Sequence, residues 1–467
     1  MKPDNGYALR RSMRRFRGTQ IVTFFTVLYA TALLCLIIPL RPTYSENEKR
    51  ELTPFPTFTF ASFWNGDYFS GIGKWFSDTF PFRDTLLQWD SAVWSLSGIQ
   101  TNTIHGDVVE GDEIPDVPSV KPTEPAVTQP TDTTVSTGTT TAPSTTTTKK
   151  PTQTAPNKTD AHDPQGEGQQ LGAIYTAGNA AYEYYSFNRS ASDRYIQLIN
   201  KTADALKGKA TVYDIVVPNS MGVMLSNEYK QKYDISTSDQ KKAIAYMSAS
   251  MNANVKSIEI FDVLNQHKGE YLYFRTDHHW TATGAYYAYQ ELAKAKGITP
   301  TPLANYEKKE FPGFLGTFYA GSNQSPKLGD TPDTVVAYMP KATNDLQFTD
   351  REGNVINWNV VMDVSEYGAA MKYSAFIGGD NPYAVVHNPT LTDGSSCVIV
   401  KESYGNAFVP FLVDHYQTVH VVDYRYYGGN LLEFVEQNGV QDVIFVNNIM
   451  ATSTELRIDD MYALMGW

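Results

Sequence analysis

From Leu171 onward, short Val- and Ile-rich runs alternate with stretches of helical periodicity. Residues 193–206 carry helical spacing in Tyr195, Leu198, Ile199 and Leu206, and residues 210–217 follow as an apolar run ended by Pro218 and Asn219. Residues 238–251 read as a further helix and residues 257–261 as a further strand. Three more apolar runs stand at 397–400, 418–422 and 442–446. Short runs without polar alternation suit strands covered on both faces, as in a parallel sheet flanked by helices. The pattern predicts an α/β fold with a flavodoxin-like parallel sheet. Residues 301–395 interrupt it with many Gly, Asn and Asp and short aromatic strands at 335–339 and 355–361, and are expected to form an insertion on the same domain.

Two stretches in this region carry chemistry. In YFRTDHHWTATG, residues 273–284, a strand-like run ends in Asp277, His278, His279 and Trp280 before a helix marked by Tyr286, Tyr289, Leu292 and Ala293 and ended by Gly297. A carboxylate two residues before an imidazole can accept Nδ1–H and leave Nε2 facing outward as a general base. In KESYGNAF, residues 401–408, a buried strand delivers Ser403 to a turn that is expected to open a helix over 407–413. There the first backbone N–H groups, with Tyr404, Gly405 and Asn406 beside them, are placed to stabilise an oxyanion. The logic is that of a nucleophile elbow, although the GxSxG pattern is absent.

Simpler readings account for some of these residues singly. Asp277 can cap the following helix, Trp280 can be core, and Ser403 can be an ordinary turn serine. Asp277 with the two histidines also has metal-ligand chemistry, but adjacent residues seldom converge on one ion and no HExxH motif supplies a third ligand at good spacing. No metal or cofactor is expected. The aromatic stretch at 311–320 reads as a loop anchor, with a sugar-stacking platform as the alternative.

Residues 21–40 form a twenty-residue run without a charge, long enough at about 1.5 Å per residue to span about 30 Å of hydrocarbon. Lys2, Arg10, Arg11, Arg14, Arg15 and Arg17 precede it against the single Asp4, leaving 32 basic and 49 acidic residues for the rest of the chain. The positive-inside rule then places residues 1–20 in the cytoplasm as a basic tail and everything beyond Arg41 outside, with 21–40 as a single-pass signal anchor in the cell membrane. The run is long for a cleaved signal peptide and no small-x-small site follows it. The acidic body argues against a nucleic-acid binder, which needs a basic face to neutralise phosphates.

Residues 41–110 make an extracytoplasmic segment rich in aromatic residues, with helical spacing at 67–76 and again at 83–97. Residues 111–170 shift to Thr, Pro, Ser, Gln and Lys, and are expected to be a disordered linker because they hold too few apolar groups to offset chain entropy. The α/β domain then occupies 171–467.

The YFRTDHHWTATG stretch resembles the signature of the bacterial DHHW proteins. Together with the downstream Ser403 it looks like the SGNH-hydrolase-like domain of alginate O-acetyltransferases, in which an Asp-x-His pair precedes the serine. The likeness covers about residues 171–467, and SENEKREL and FSDTFPFRD resemble the region preceding that domain in DHHW proteins. It implies an SGNH-like fold and a triad in which Ser403 takes an acyl group, His279 shuttles the proton and Asp277 orients the imidazole. The implied reaction is O-acetylation of a cell-envelope or secreted polysaccharide, with a multi-pass membrane-bound O-acyltransferase as acyl donor. The chain departs from the family pattern in lacking GDS and GxND blocks. Asn447 or Asn448 is the nearest substitute for the missing oxyanion asparagine, and Tyr424 and Arg425 are further residues for lining the crevice. The alternative is an inactive glycan-binding or scaffold protein of a polysaccharide complex.

Overall fold

The computed structural model describes residues 43–45, 50–64, 67–80, 108, 110–117 and 163–467. The basic tail, the run at 21–40 and the amphipathic pattern at 83–97 lie outside them. Among the described residues no helix is long and apolar enough to cross a membrane. The chain divides into two compact units, ending and beginning at Ile104 and His105.

In the first unit, strands β1 (Tyr44–Ser45) and β2 (Arg50–Glu51) pair antiparallel. Helices Phe60–Trp64 and Asp67–Asp78 follow. Thr59 and Ser62 cap the first of these reciprocally, each side-chain oxygen accepting the other's backbone N–H. Phe55 meets Trp75 edge-on at 4.8 Å between centroids, and Phe58 meets Tyr68 in the same way at 5.2 Å. The rings meet in the geometry ring quadrupoles favour, while Phe55, Phe58, Phe60 and Phe69 remain more than half exposed.

The second unit opens with an antiparallel sheet of β3 (Gln169–Leu171), β4 (Ile174–Ala177) and β5 (Ala180–Glu183). The main sheet takes β6 (Thr211–Val217) and β7 (Val255–Ser257). A separate hairpin pairs β8 (Glu307–Phe314) with β9 (Asp333–Met339). The main sheet then adds β10 (Asp345–Thr349), β11 (Val355–Asn359), β12 (Tyr383–His387), β13 (Ser396–Lys401), β14 (Thr418–Asp423) and β15 (Asp442–Asn448). Its order is β11-β10-β12-β14-β13-β15-β6-β7. The strands from β14 to β7 run parallel, whereas β12, β10 and β11 continue the sheet antiparallel.

The sheet is therefore mixed, which corrects the purely parallel expectation. The difference comes from residues 301–395: part of that segment is not a separate insertion but three strands that extend the edge.

Strand parity explains why the central strands read as unbroken apolar runs. Ile399, Val421, Ile444 and Val446 face one core with Trp280 and helix Ala282–Lys296. Val398, Val400, Val422, Val443 and Phe445 face the other, with helices Arg189–Ala205 and Glu455–Met465. Both faces are covered, so neither side of a strand is polar.

Three local expectations change. The strand expected over 257–261 is already finished at Ser257, and Phe261 begins helix Phe261–Gln266. The helix expected over 407–413 is replaced by two 3-10 turns, Ser403–Ala407 and Val409–His415, because Pro410 cannot donate to the preceding turn. The linker boundaries also move. Ile114 is buried in the second core, the Asp112 N–H donates to the Phe187 carbonyl at 2.7 Å, and Asp163 accepts from the Ser226 N–H at 2.9 Å, so 111–117 and 163–170 belong to the folded unit.

Candidate active site

The parallel strands end on one side of the sheet, where doubly wound folds place ligands. Strand β13 leads from Lys401 directly into Glu402 and Ser403. The loop bearing Asp277 to Trp280 reaches the same place by several ties. Asp333 on β9 is fully buried and accepts from the Thr276 N–H at 2.7 Å, the Thr276 hydroxyl at 2.6 Å and Arg275 Nε at 3.0 Å. Trp280 Nε1 donates to the Tyr404 carbonyl at 2.8 Å, and the Tyr404 hydroxyl donates to the His278 carbonyl. Thr281 caps helix Ala282–Lys296, which Gly297 ends in the left-handed conformation at φ 72°.

These ties bring Asp277, His279 and Ser403 into one hydrogen-bonded series. Asp277 Oδ1 lies 2.5 Å from His279 Nδ1, and His279 Nε2 lies 2.7 Å from Ser403 Oγ. The residues are 3%, 6% and 9% exposed, so little water competes for these bonds. Burial alone would raise the Asp277 carboxyl. The charges of His279 and His278, the His279 hydrogen bond and the Thr317 N–H, at 2.9 Å, outweigh it and hold the group well below the usual carboxylate range. An ionised Asp277 accepts from Nδ1–H, which leaves the Nε2 lone pair for Ser403. Asp277, His278 and His279 also offer ligand atoms within 4.8 Å of one another. A metal ion there would take His279 and Asp277 out of the bonds just described, and His278 Nδ1 is already 2.6 Å from Thr317 Oγ1.

The other residues singled out by sequence fall in different places. Tyr404, Trp280 and His278 surround the series and hold its loop in place. The Tyr404 and Trp280 side chains are fully buried, and the His278 ring lies 3.8 Å from that of His279, centroid to centroid. Gly405 packs rather than lines: a Cβ there would stand 2.5 Å from Lys401 Cβ. Asn406 and Arg425 belong to a partly buried charge network. Asn406 Nδ2 donates to Asp380 at 2.9 Å, Arg425 donates to Asp423 at 2.8 Å and to Asp380 at 2.9 Å, and Lys401 Nζ lies 2.9 Å from Asp423.

Asn447 is a correction. It has the parity of Val443 and Phe445, so its side chain enters the opposite core, where Nδ2 donates to the Tyr195 hydroxyl at 3.1 Å. Tyr424 faces that core too. Asn448 has the site-facing parity, and its backbone N–H reaches Glu402 Oε1 at 2.9 Å. The Tyr404 N–H, expected to be available to an oxyanion, donates instead to Glu402 Oε2 at 3.1 Å. Phe311, Phe314 and Phe318 are buried, so the aromatic stretch at 311–320 anchors its segment.

Sequence reasoning missed three contributors. Tyr373 stacks on His279, and its hydroxyl donates to the Ser403 carbonyl at 3.0 Å. Burial pushes that phenol well above its ordinary value, with the Asp277, Glu402 and Asp380 charges adding to it, so it remains a donor. Gly316 lets the Thr317 amide approach Asp277, since a Cβ would stand 2.1 Å from Asp277 Oδ2. Glu402 carried a local signal, an acid immediately before the serine; Tyr373 and Gly316 had none, since both lie far along the chain from either motif.

A mixed-sheet α/β protein with a serine, a histidine and an aspartate in series at the carboxyl ends of its parallel strands is the class that fold and site define. Within that class the chain belongs to the DHHW protein family, whose profile matches residues 48–124 and 149–422. Its structure is similar to that of a DHHW family protein from Eubacterium siraeum, at 25% identity and TM-score 0.58 over 64% of this chain and 98% of that one. It shares the fold of Bacillus cereus PatB1, solved with a sulfonyl adduct, at 19% identity and TM-score 0.51 over 61% of this chain and 97% of that one. The O-acetyltransferase domain of Pseudomonas putida AlgJ matches at 15% identity and TM-score 0.37, over 62% of this chain and 99% of that domain. No curated protein sequence matches the chain.

Proposed function

We propose that this protein is a membrane-anchored, extracytoplasmic O-acetyltransferase or acetylesterase that acts on cell-envelope or secreted polysaccharide through Ser403, His279 and Asp277. The observation that carries the reading is the unbroken series from the Asp277 carboxylate through both nitrogens of His279 to Ser403 Oγ. Ser403 Oγ attacks the acetyl carbonyl carbon while its proton passes to His279 Nε2, and Asp277 stabilises the imidazolium that forms. The tetrahedral intermediate collapses, the leaving oxygen takes the proton back from Nε2, and acetyl-Ser403 remains. A sugar hydroxyl or water then attacks that ester, passing its proton to His279 Nε2, and the Oγ–acyl bond breaks as Nε2 returns the proton to Ser403 Oγ.

Residues 21–40 anchor the chain, and with one span it draws acetyl groups from a multi-pass membrane-bound O-acyltransferase or from an ester outside the cell. The full chain in detergent, given a chromogenic acetyl ester with and without oligosaccharide acceptors, tests this. Acetyl release is expected to fall roughly 10⁴- to 10⁶-fold in Ser403→Ala and His279→Ala, since members of such a series act as a unit. Acetylated sugar marks a transferase. Release that survives Ser403→Ala contradicts the assignment, and glycan binding without release in any chain favours the scaffold alternative.

A further inference from the structure

The carboxylate nearest the serine is not Asp277 but Glu402. It is buried, and both of its oxygens are occupied by donors from different elements. Oε2 accepts the Tyr404 N–H at 3.1 Å and lies 3.1 Å from Ser403 Oγ. Oε1 accepts the N–H of Asn448, the last residue of β15, at 2.9 Å. An oxyanion hole is recognised by N–H donors about 2.7–3.1 Å from the place where the acyl oxygen becomes anionic, beside the nucleophile. Glu402 Oε2 already fits that description, as an anionic oxygen next to Ser403 Oγ that takes a backbone N–H from the turn following the serine.

We infer that Glu402 plugs the oxyanion site of the resting protein, and that an acyl substrate must displace its carboxylate before the Tyr404 and Asn448 amides can serve the tetrahedral intermediate. The inference rests on Ser403 being the nucleophile. Two consequences follow. A fixed negative charge beside the nucleophile repels the developing oxyanion and suppresses idle ester hydrolysis. The Ser403 hydroxyl also has a second acceptor at 3.1 Å besides His279 Nε2 at 2.7 Å, so swinging Glu402 away commits its proton to the imidazole.

The test is covalent labelling of the full chain by phenylmethylsulfonyl fluoride, followed by intact mass and peptide mapping. Ser403 Oγ forms the O–S bond, its proton goes to His279, and fluoride leaves. A residue that merely held the serine turn together would slow labelling when removed. A plug predicts the opposite: Glu402→Ala labels about tenfold faster at neutral pH, and the isosteric Glu402→Gln, which keeps an acceptor for one amide and loses the charge, labels several-fold faster. The Gln variant decides the matter if the Ala variant does not fold. Labelling of the parent at Ser403 with equal or slower rates in the folded variants overturns the plug alone. Absence of Ser403 labelling in every folded chain overturns the nucleophile reading on which it rests.

Discussion

The imidazole of His279 lies flat against the ring of Tyr373, with centroids 4.0 Å apart and planes 14° from parallel. The same tyrosine holds the serine turn through its hydroxyl bond to the Ser403 carbonyl at 3.0 Å. One residue thus fixes both the base and the nucleophile. Tyr373→Phe keeps the ring and removes one buried hydrogen bond to the Ser403 carbonyl, a loss of about 1 kcal/mol. Acetyl release is expected to fall roughly tenfold in this variant, and further in Tyr373→Leu, where the stacked face is lost. Equal rates in the parent and both variants would show that the stack has no part in positioning.

Gly316 sets the position of Asp277 from the other side. In Gly316→Ala the new methyl would stand 2.1 Å from Asp277 Oδ2, so the Thr317 amide and the carboxylate must move apart. A misplacement of about 1 Å costs on the order of 10²-fold in rate. The measurement is kcat alongside melting temperature. A large fall in kcat in a folded variant is expected, and parent-like kcat would count against the contact.

Much of this arrangement is legible in the chain itself, and what is not has physical causes. The central strands announce themselves because β13 and β15 are apolar on both faces. Asp277 and His279 are visible because two residues of spacing suffice for their bond, and Ser403 because it follows a buried strand. Strand β10 is hidden because DLQFT lies toward the polar edge of the sheet and lacks that uniform apolarity, whereas the aromatic run of β11 is legible within the strand read at 355–361. Residues 257–261 mislead because a short apolar run has the same composition in a strand or a buried helix. Tyr373 comes to His279 only through tertiary packing, which no local period records.

Asn447 separates strand parity from proximity in sequence. Its side chain lies on the far face of the sheet, bonded to Tyr195. Asn447→Ala is expected to lower stability by about 1–3 kcal/mol in a denaturant melt while leaving kcat of the folded fraction within about twofold. An oxyanion donor would instead lose about 10²- to 10³-fold in kcat.

Beneath Asn447 the same core holds a buried acid. Burial pushes Asp214 up to about 7, although the Tyr195 hydroxyl, donating to it at 2.5 Å, partly offsets the rise. The folded state therefore holds this proton more tightly than the unfolded chain, whose value is about 3.9. The favourable contribution is complete below the unfolded value and is lost as pH rises through about 7. Asp214→Asn, neutral throughout, should melt a few degrees above the parent at pH 8 and close to it at pH 4. A difference that does not change with pH would contradict a titrating Asp214.

The central claim is that Ser403 carries the acetyl group. Its most direct measurement is rapid acid quench of the full chain with a chromogenic acetyl donor, followed by peptide mass mapping. The account predicts one acetyl group on the peptide containing Ser403, absent from Ser403→Ala and greatly reduced in His279→Ala. Acetyl release with no modified Ser403, or release undiminished in Ser403→Ala, would contradict it.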